Sequence, residues 1–370
     1  MLDSVQKTLT GLTTEELSRL IADETGAPAY RGKQVAEWLY RRMMPSEGGG
    51  FNATFAGMSD LPAQLRTVLE ERFPDRPLRL CESHKDSRDG TLKLLARTTA
   101  GDHAIECVLM PDEKRVSVCL STQVGCPMAC AFCATGTQGL TRNLTAAEIV
   151  AQFQVLQAAC ERRISHIVFM GMGEPLLNYD ATLRAIRILN AECGVAMRHI
   201  TVSTVGIVPN IDRLAAENLQ ITLAVSLHAP TDALRQRLIP VAQRYPIAEL
   251  IASCNRYVDQ THRRLTFEYV LLKGVNDRPE DARELAALMK DMPAALNVIP
   301  YNPTAVFEPF ERPEPSRISL FRNILENAGV TVTQRKERGQ QIAAACGQLV
   351  TEANRKRPVK SVLTMAPGAA

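Results

Sequence analysis

The sequence predicts an α/β protein: a (β/α)6-type barrel, partial or closed, preceded by a small helical N-terminal domain. Between about residues 113 and 333, short apolar strands alternate with longer amphipathic stretches, the mark of repeated βα units around a parallel sheet. No Gly-x-Gly-x-x-Gly run follows any of these strands, which turns the reading from a dinucleotide-binding sheet toward a barrel. The first 75 residues lack strand patterning and read as helices.

The first helix begins at a capping box, Thr13 with Glu16, and carries the apolar stripe Leu17, Leu20 and Ile21. A second covers about residues 32–42, with Val35, Trp38 and Leu39 on one side and Arg31, Lys33, Arg41 and Arg42 at its edges. Pro45 and the glycines at 48–50 mark a loop, and residues 61–73 form a third helix. Residues 76–112 read as a β-rich connector, with strand pattern from Gly90 onward. The barrel strands are expected at 116–120, 166–170, 200–203, 222–226, 266–271 and 297–300. Helices are expected between them at about 146–159, 180–190, 209–218, 247–259 and 280–290, the first opened by Thr145 with Glu148. Residues 351–370 read as a basic tail. In such a barrel, chemistry gathers at the carboxyl ends of the strands.

The 370 residues are 45% apolar, enough for a substantial core, and the formal charge of +3 confines any nucleic-acid contact to local patches. No basic-then-apolar leader follows Met1, and the apolar runs fall short of a membrane span, so a soluble cytoplasmic protein is expected. Ten cysteines in such a chain point to metal binding or redox chemistry rather than to a disulfide framework. Cys81, Cys160, Cys193 and Cys254 read as small buried or half-buried hydrophobes.

The strongest chemical signal is the C-x3-C-x2-C triplet Cys126, Cys130 and Cys133, just after the first barrel strand. Three thiolates can hold three irons of a [4Fe–4S] cluster and leave the fourth iron for the amino and carboxylate groups of S-adenosylmethionine. A zinc site is the competing reading, with Cys119 as fourth ligand, although the spacing fits no usual zinc ribbon. The loop Gly171-Met-Gly173-Glu174-Pro175 follows the second strand, offering close backbone approach and a carboxylate for an ammonium group. Ser203, the run Ser226-Leu227-His228 and Asn302 end further strands.

The runs Cys119-Leu-Ser-Thr-Gln-Val-Gly-Cys126, Gly-Met-Gly-Glu-Pro, Ser226-Leu-His-Ala-Pro230 and Ala344-Ala-Cys346-Gly-Gln-Leu349 resemble the RlmN/Cfr family of bacterial RNA adenosine methyltransferases. The resemblance spans about residues 10–352, and Cys119 together with Cys346 distinguishes it from radical S-adenosylmethionine enzymes at large. It implies that Cys346 takes a methyl group from one S-adenosylmethionine, and that a 5′-deoxyadenosyl radical from a second molecule removes a hydrogen atom from that methyl. The carbon radical then adds to adenine, Glu106 accepts the ring proton, and Cys119 releases methylated RNA by forming a disulfide with Cys346. Gly173, Glu174, Ser203, Ser226, Leu227, His228 and Asn302 are implied to contact S-adenosylmethionine.

The segment Arg335-Lys-Glu-Arg338 through Cys346 suits a mobile loop near phosphates, and basic clusters at 31–42, 335–338 and 355–357 are expected to meet RNA. It departs from the family at Gln341, where an aspartate is usual. One family branch methylates carbon 2 of an adenosine in 23S rRNA and of the adenosine beside the tRNA anticodon; the other methylates carbon 8 of the ribosomal adenosine. The run Tyr30-Arg-Gly-Lys-Gln-Val-Ala-Glu-Trp-Leu-Tyr40 favours the carbon-2 branch. An electron donor such as flavodoxin or ferredoxin, no membrane and a monomeric state complete the expectation. A non-catalytic zinc-dependent RNA-binding protein is the alternative of a different class.

Overall fold

The computed structural model describes residues 8–74, 76–290, 292–304 and 310–350. The expected tail and the basic cluster at 355–357 lie outside these residues. Three helices come first: α1 (Thr14–Thr25), α2 (Tyr30–Ala36), which continues as a π-helical turn over Glu37–Arg41, and α3 (Ala63–Arg72). The capping box of Thr13 and Glu16 is formed, and Gly26, at φ 68°, ends α1 in the left-handed conformation.

Three antiparallel strands follow, β1 (Leu78–Lys85), β2 (Leu92–Thr98) and β3 (Ala104–Pro111), then β4 (Val116–Cys119). The short ribbon β5 (Gln123–Cys126) and β6 (Gly139–Asn143) stands apart from the main sheet. Next come α4 (Ala146–Ala158), β7 (His166–Phe169), α5 (Tyr179–Ala191), β8 (Ile200–Thr204), α6 (Val208–Ala216) and β9 (Thr222–Ser226). The chain continues through α7 (Asp232–Leu238), α8 (Ile247–Thr261), β10 (Leu265–Leu271), α9 (Pro279–Leu288), β11 (Ala294–Pro300), α10 (Pro315–Asn327) and β12 (Thr331–Gln334).

The main sheet has ten strands in the order β1-β2-β3-β4-β7-β8-β9-β10-β11-β12, and the seven from β4 onward are parallel. The barrel is therefore partial: β1 and β12 are its two edges. Each of the six expected strands is present, and β12 adds a seventh parallel strand that the pattern missed. Its Thr-Val-Thr-Gln sequence is mostly exposed at a sheet edge, so it carries little apolar signal.

Every residue of α4 but the last is buried, unlike a barrel helix with one face to water. The N-terminal helices cover its outer side, and their apolar side chains Leu17, Ile21, Val35 and Tyr40 join the barrel core. Its polar groups are all used. Gln154 donates to the Leu39 carbonyl (2.8 Å), and Gln152 exchanges two hydrogen bonds with the Ser121 backbone, tying the helix to the strand ahead of the cysteine triplet. Arg184–Glu16 and Thr14–Glu192 bonds fasten α1 to α5.

One sequence expectation is corrected. Cys81 is exposed, because β1 is an edge strand with seven of eight residues open to solvent. The arginines flanking α2 are occupied within the fold: Arg31 donates to the Asp60 carbonyl, Arg41 to the Ala191 carbonyl, and Arg42 pairs with Asp60 over the Trp38 ring. Of these basic residues Lys33 and Arg41 are exposed.

Tyr40 shows how tightly the N-terminal segment is fixed. Its buried hydroxyl donates to the Leu12 carbonyl (2.7 Å) and accepts from the Gly11 N–H (3.1 Å). Tyr40→Phe leaves both groups without their partner and is expected to cost about 1–3 kcal/mol. A lower urea midpoint with an unchanged slope would show this; an unchanged midpoint would contradict it.

Candidate active site

The carboxyl ends of β7 to β11 open into one cleft. It is lined by Cys126, Cys130 and Cys133, by Gly173 and Glu174 after β7, by Ser203, Ser226, His228 and Asn302, and by Cys346 from the C-terminal segment. Cys126 ends β5, and its loop returns through Ala129, a non-glycine residue in the left-handed region at φ 50°. The Ala131 N–H donates to the Leu238 carbonyl at the end of α7 (2.9 Å), and the Cys133 N–H to Cys130 (3.1 Å).

Burial raises all three thiols. Cys126 is pushed up to about 12, Cys130 is pushed well above the ordinary thiol range, with its two sulfur neighbours adding to the effect, and Cys133 is raised. A cation arriving among them would displace these protons, the usual coupling of metal binding to deprotonation. Among the described residues no three His, Cys, Asp or Glu side chains are grouped to hold a single metal ion. A cubane cluster differs, because each thiolate binds its own iron. Cys119 does not line this cleft, so the zinc reading lacks the fourth ligand it required.

Glu174 is 3% exposed. Its carboxylate accepts from the Leu176 N–H (3.0 Å) and the Val205 N–H (2.9 Å), and burial pushes its pKa up to about 7. An ammonium group entering the cleft would supply the missing countercharge, so the site fits the amino end of S-adenosylmethionine. Gly173 makes the approach possible: at φ 100°, a Cβ there would stand 2.5 Å from the Gln123 Cβ. Gln123 in turn accepts from the Glu174 N–H (2.8 Å), so the β5 ribbon and the Gly-Met-Gly-Glu-Pro loop are locked together.

His228 is also left-handed, at φ 57°, and burial holds its pKa down at about 3. Its Nδ1 accepts from the Val270 N–H (3.0 Å), which assigns the ring proton to Nε2 as a donor. The Leu227 side chain is fully buried in the core and does not line the cleft, leaving only its backbone for a ligand.

A second, smaller cleft adjoins the first and shares Met170, Ile299, Asn302, Arg335 and Cys346 with it. It contains Cys119, which is buried, and both cysteines are free thiols. Burial and the neighbouring Cys346 push Cys119 up to about 12, against the pull of the Arg335 guanidinium. Glu106 lines neither cleft. It lies behind the C-terminal segment, paired with Lys93 (3.0 Å) and accepting from the Val350 N–H (2.8 Å).

The segment carrying Cys346 is fastened on both sides rather than free. Before the cysteine, Arg338 binds the Pro111 carbonyl and Asp112, and the Gly339 N–H donates to Asp89. The Gln341 N–H donates to buried Asp86 (3.2 Å), and its side-chain amide, suitably oriented, bridges Asp86 and Arg88. An aspartate at 341 would instead face the Asp86 carboxylate. Beyond the cysteine, the Ala134 N–H donates to the Gly347 carbonyl (2.8 Å), and the Thr135 hydroxyl to the Leu349 carbonyl (2.6 Å).

Arg335 and Arg338 are internal anchors, leaving Lys336 as the exposed cation of that cluster. Glu268 was missed: a buried carboxylate on β10 held by Asn297 (2.8 Å), with Arg335 3.8 Å away. A lone acid inside the apolar run Thr-Phe-Glu-Tyr-Val was its sequence signal.

Residues 120–286 match the radical SAM superfamily. A probable dual-specificity RNA methyltransferase RlmN of Symbiobacterium thermophilum is 47% identical over 352 residues, which cover 94% of this chain and 92% of the relative. A protein of the same description from Thermosynechococcus vestitus is 48% identical over 341 residues, covering 92% and 97%. Among solved structures, a radical SAM methyltransferase from Sphaerobacter thermophilus superposes with a TM-score of 0.86 at 48% identity, covering 92% of this chain and 98% of that one.

The close packing at Gly173 yields a test. Gly173→Ala introduces left-handed strain of about 1–3 kcal/mol and pushes the Glu174 loop off Gln123. The cluster-loaded variant is expected to bind S-adenosylmethionine roughly tenfold more weakly by anaerobic calorimetry, equivalent to about 1.4 kcal/mol. Undiminished affinity would contradict the assigned role of this loop.

Proposed function

This chain belongs to the RlmN family of radical S-adenosylmethionine RNA methyltransferases, and we propose that it methylates carbon 2 of an adenosine in 23S rRNA and of the adenosine beside the tRNA anticodon, with Cys346 as methyl carrier. One observation carries the proposal: a single cleft presents the three cluster thiols, the Glu174 pocket and Cys346, and the adjoining cleft presents Cys119 to the same Cys346. The 47–48% identity to RlmN relatives and the Tyr30–Tyr40 run support carbon 2 over carbon 8.

The enzyme uses a [4Fe–4S] cluster and S-adenosylmethionine. The cluster, when bound, supplies the electron that cleaves S-adenosylmethionine to methionine and a 5′-deoxyadenosyl radical. Cys126, Cys130 and Cys133 hold it, and Glu174 takes the ammonium of the methionine moiety. Ser203, Ser226, the Leu227 backbone, His228 and Asn302 orient the rest of that molecule.

The Cys346 sulfur displaces a methyl group from one S-adenosylmethionine, becoming a thioether. That methyl, after losing a hydrogen atom, forms the bond to carbon 2 of the adenine. Glu106 receives the ring proton, and the adduct gives up its one unpaired electron, for which the oxidised cluster would be the acceptor, so that a closed-shell thioether joins Cys346 to the adenine. The Cys119 thiolate then attacks the Cys346 sulfur, the carbon–sulfur bond breaks, the leaving carbon is protonated to a methyl group, and a Cys119–Cys346 disulfide remains for reduction.

Lys93 prepares Glu106. Burial raises the Glu106 carboxyl, and the Lys93 ammonium opposes that rise. A small one-electron carrier such as flavodoxin or ferredoxin supplies electrons to a monomeric enzyme in the cytoplasm. Among the described residues no helix is long and apolar enough to cross a membrane.

Anaerobically purified Cys130→Ala is expected to lack the cluster; a full cluster in that variant would refute the ligand assignment. Cys119→Ala should accumulate a covalent protein–RNA adduct and Cys346→Ala should form none, both readable on denaturing gels. Normal turnover by either variant would exclude the methyl-carrier route. Because Lys93 favours the ionised form of Glu106, Lys93→Met should move the pH profile of proton loss to higher pH, and Glu106→Gln should slow that step. An unmoved profile in Lys93→Met would remove Glu106 from the base role.

A further inference from the structure

Arg235 is a buried cation for which the reaction above has no use. It lies on α7 with 0% exposure, and no carboxylate of the described residues pairs with it. Asp232, the acid on the same helix, is turned to the Ile247 N–H (2.7 Å). The guanidinium instead donates to three carbonyls: Val205 (2.6 Å), Ser226 (3.2 Å) and Tyr245 (3.3 Å); its Nε has no partner. An uncompensated charge in the interior is costly, and carbonyl dipoles relieve only part of that cost.

Its position indicates where the compensation comes from. Val205 and Ser226 both line the cleft, so Arg235 lies directly beneath its floor. The same helix ends at Leu238, whose carbonyl holds the Ala131 N–H in the middle of the cysteine loop. Burial pushes Arg235 down to about 10, and Cys130 is the largest influence opposing it. A bound cluster would bring three thiolates, and with them negative charge, to this end of the barrel.

We propose that Arg235 is a positioning residue for the cluster, a buried countercharge that favours the thiolate-bound, reduced state and holds the ends of β8 and β9 under the S-adenosylmethionine site. The inference rests on the assignment of Cys126, Cys130 and Cys133 as cluster ligands. A positive charge at fixed distance favours the more negative, reduced form, so its removal lowers the reduction potential.

The test is an anaerobic redox titration of the reconstituted full-length protein without S-adenosylmethionine, followed by electron paramagnetic resonance. Arg235→Gln keeps hydrogen-bond donors and removes the charge; Arg235→Lys keeps the charge. At the potential where the wild type is half reduced, Arg235→Gln should show a reduced-to-oxidised ratio roughly tenfold lower, a shift of about 59 mV for one electron. Arg235→Lys should stay within about threefold of the wild type, less than half that shift on the same scale.

Equal midpoints in fully loaded Arg235→Gln and wild type would overturn the proposal. If Arg235→Gln melts like the wild type without cluster but takes up no iron, while Arg235→Lys loads, the countercharge is supported. If both variants lose the fold or the cluster alike, Arg235 acts only as a hydrogen-bonding brace and the proposal fails. A wild-type protein that takes up no cluster would instead refute the ligand assignment itself.

Discussion

The hydrogen bonds from Ala134 and Thr135 to Gly347 and Leu349 join the loop that follows the cysteine triplet to the segment that carries Cys346. Everything proposed for the reaction depends on this junction, because it brings a distant cysteine to the cleft of the three thiols. Folding alone does not make such contacts cheap, since closing a long loop costs entropy that local bonds must offset. The chain meets that cost with a series of anchors: Arg338 on Asp112, Gly339 on Asp89, Gln341 on Asp86 and Val350 on Glu106. The turn between β1 and β2, strand β3 and the residue that follows it supply these partners, which gives that extension of the barrel a role at the site.

The clefts are also arranged by charge. Burial raises Cys119, Cys126, Cys130, Cys133 and Glu174, and it lowers His228. Each of these shifts favours the neutral form of its group, so charge develops there only against a bound partner. Thiols become thiolates on iron, and Glu174 becomes a carboxylate against an ammonium. Occupation of the cleft should then depend on pH, with proton release favouring binding as pH rises.

Much of this was legible in the sequence because it is local. The cysteine triplet is a spacing, and Gly173, Glu174, Ser203, Ser226 and Asn302 lie at or just beyond the carboxyl ends of strands, where a parallel barrel opens. The approach of Cys119 to Cys346 was implied only by family resemblance, since no periodicity relates β4 to a segment beyond β12. Leu227 lies between two residues of the cleft yet its side chain is buried in the core, just where the chain leaves β9 for the left-handed turn at His228. The internal partners of Arg31, Arg41, Arg42, Arg335 and Arg338 were hidden for one reason. Sequence shows a positive charge but not the carbonyl or carboxylate that folding brings against it. β12 and Cys81 lie on the two open edges of the sheet, where burial no longer disciplines the pattern.

The central claim is that this architecture places a methyl group from Cys346 on carbon 2 of adenosine. Mass spectrometry of nucleosides from 23S rRNA and tRNA of a strain lacking the gene addresses it directly. The account predicts loss of 2-methyladenosine from both RNAs, restored by the wild-type gene and not by one encoding Cys346→Ala. Unchanged 2-methyladenosine, or loss of 8-methyladenosine in its place, would contradict it.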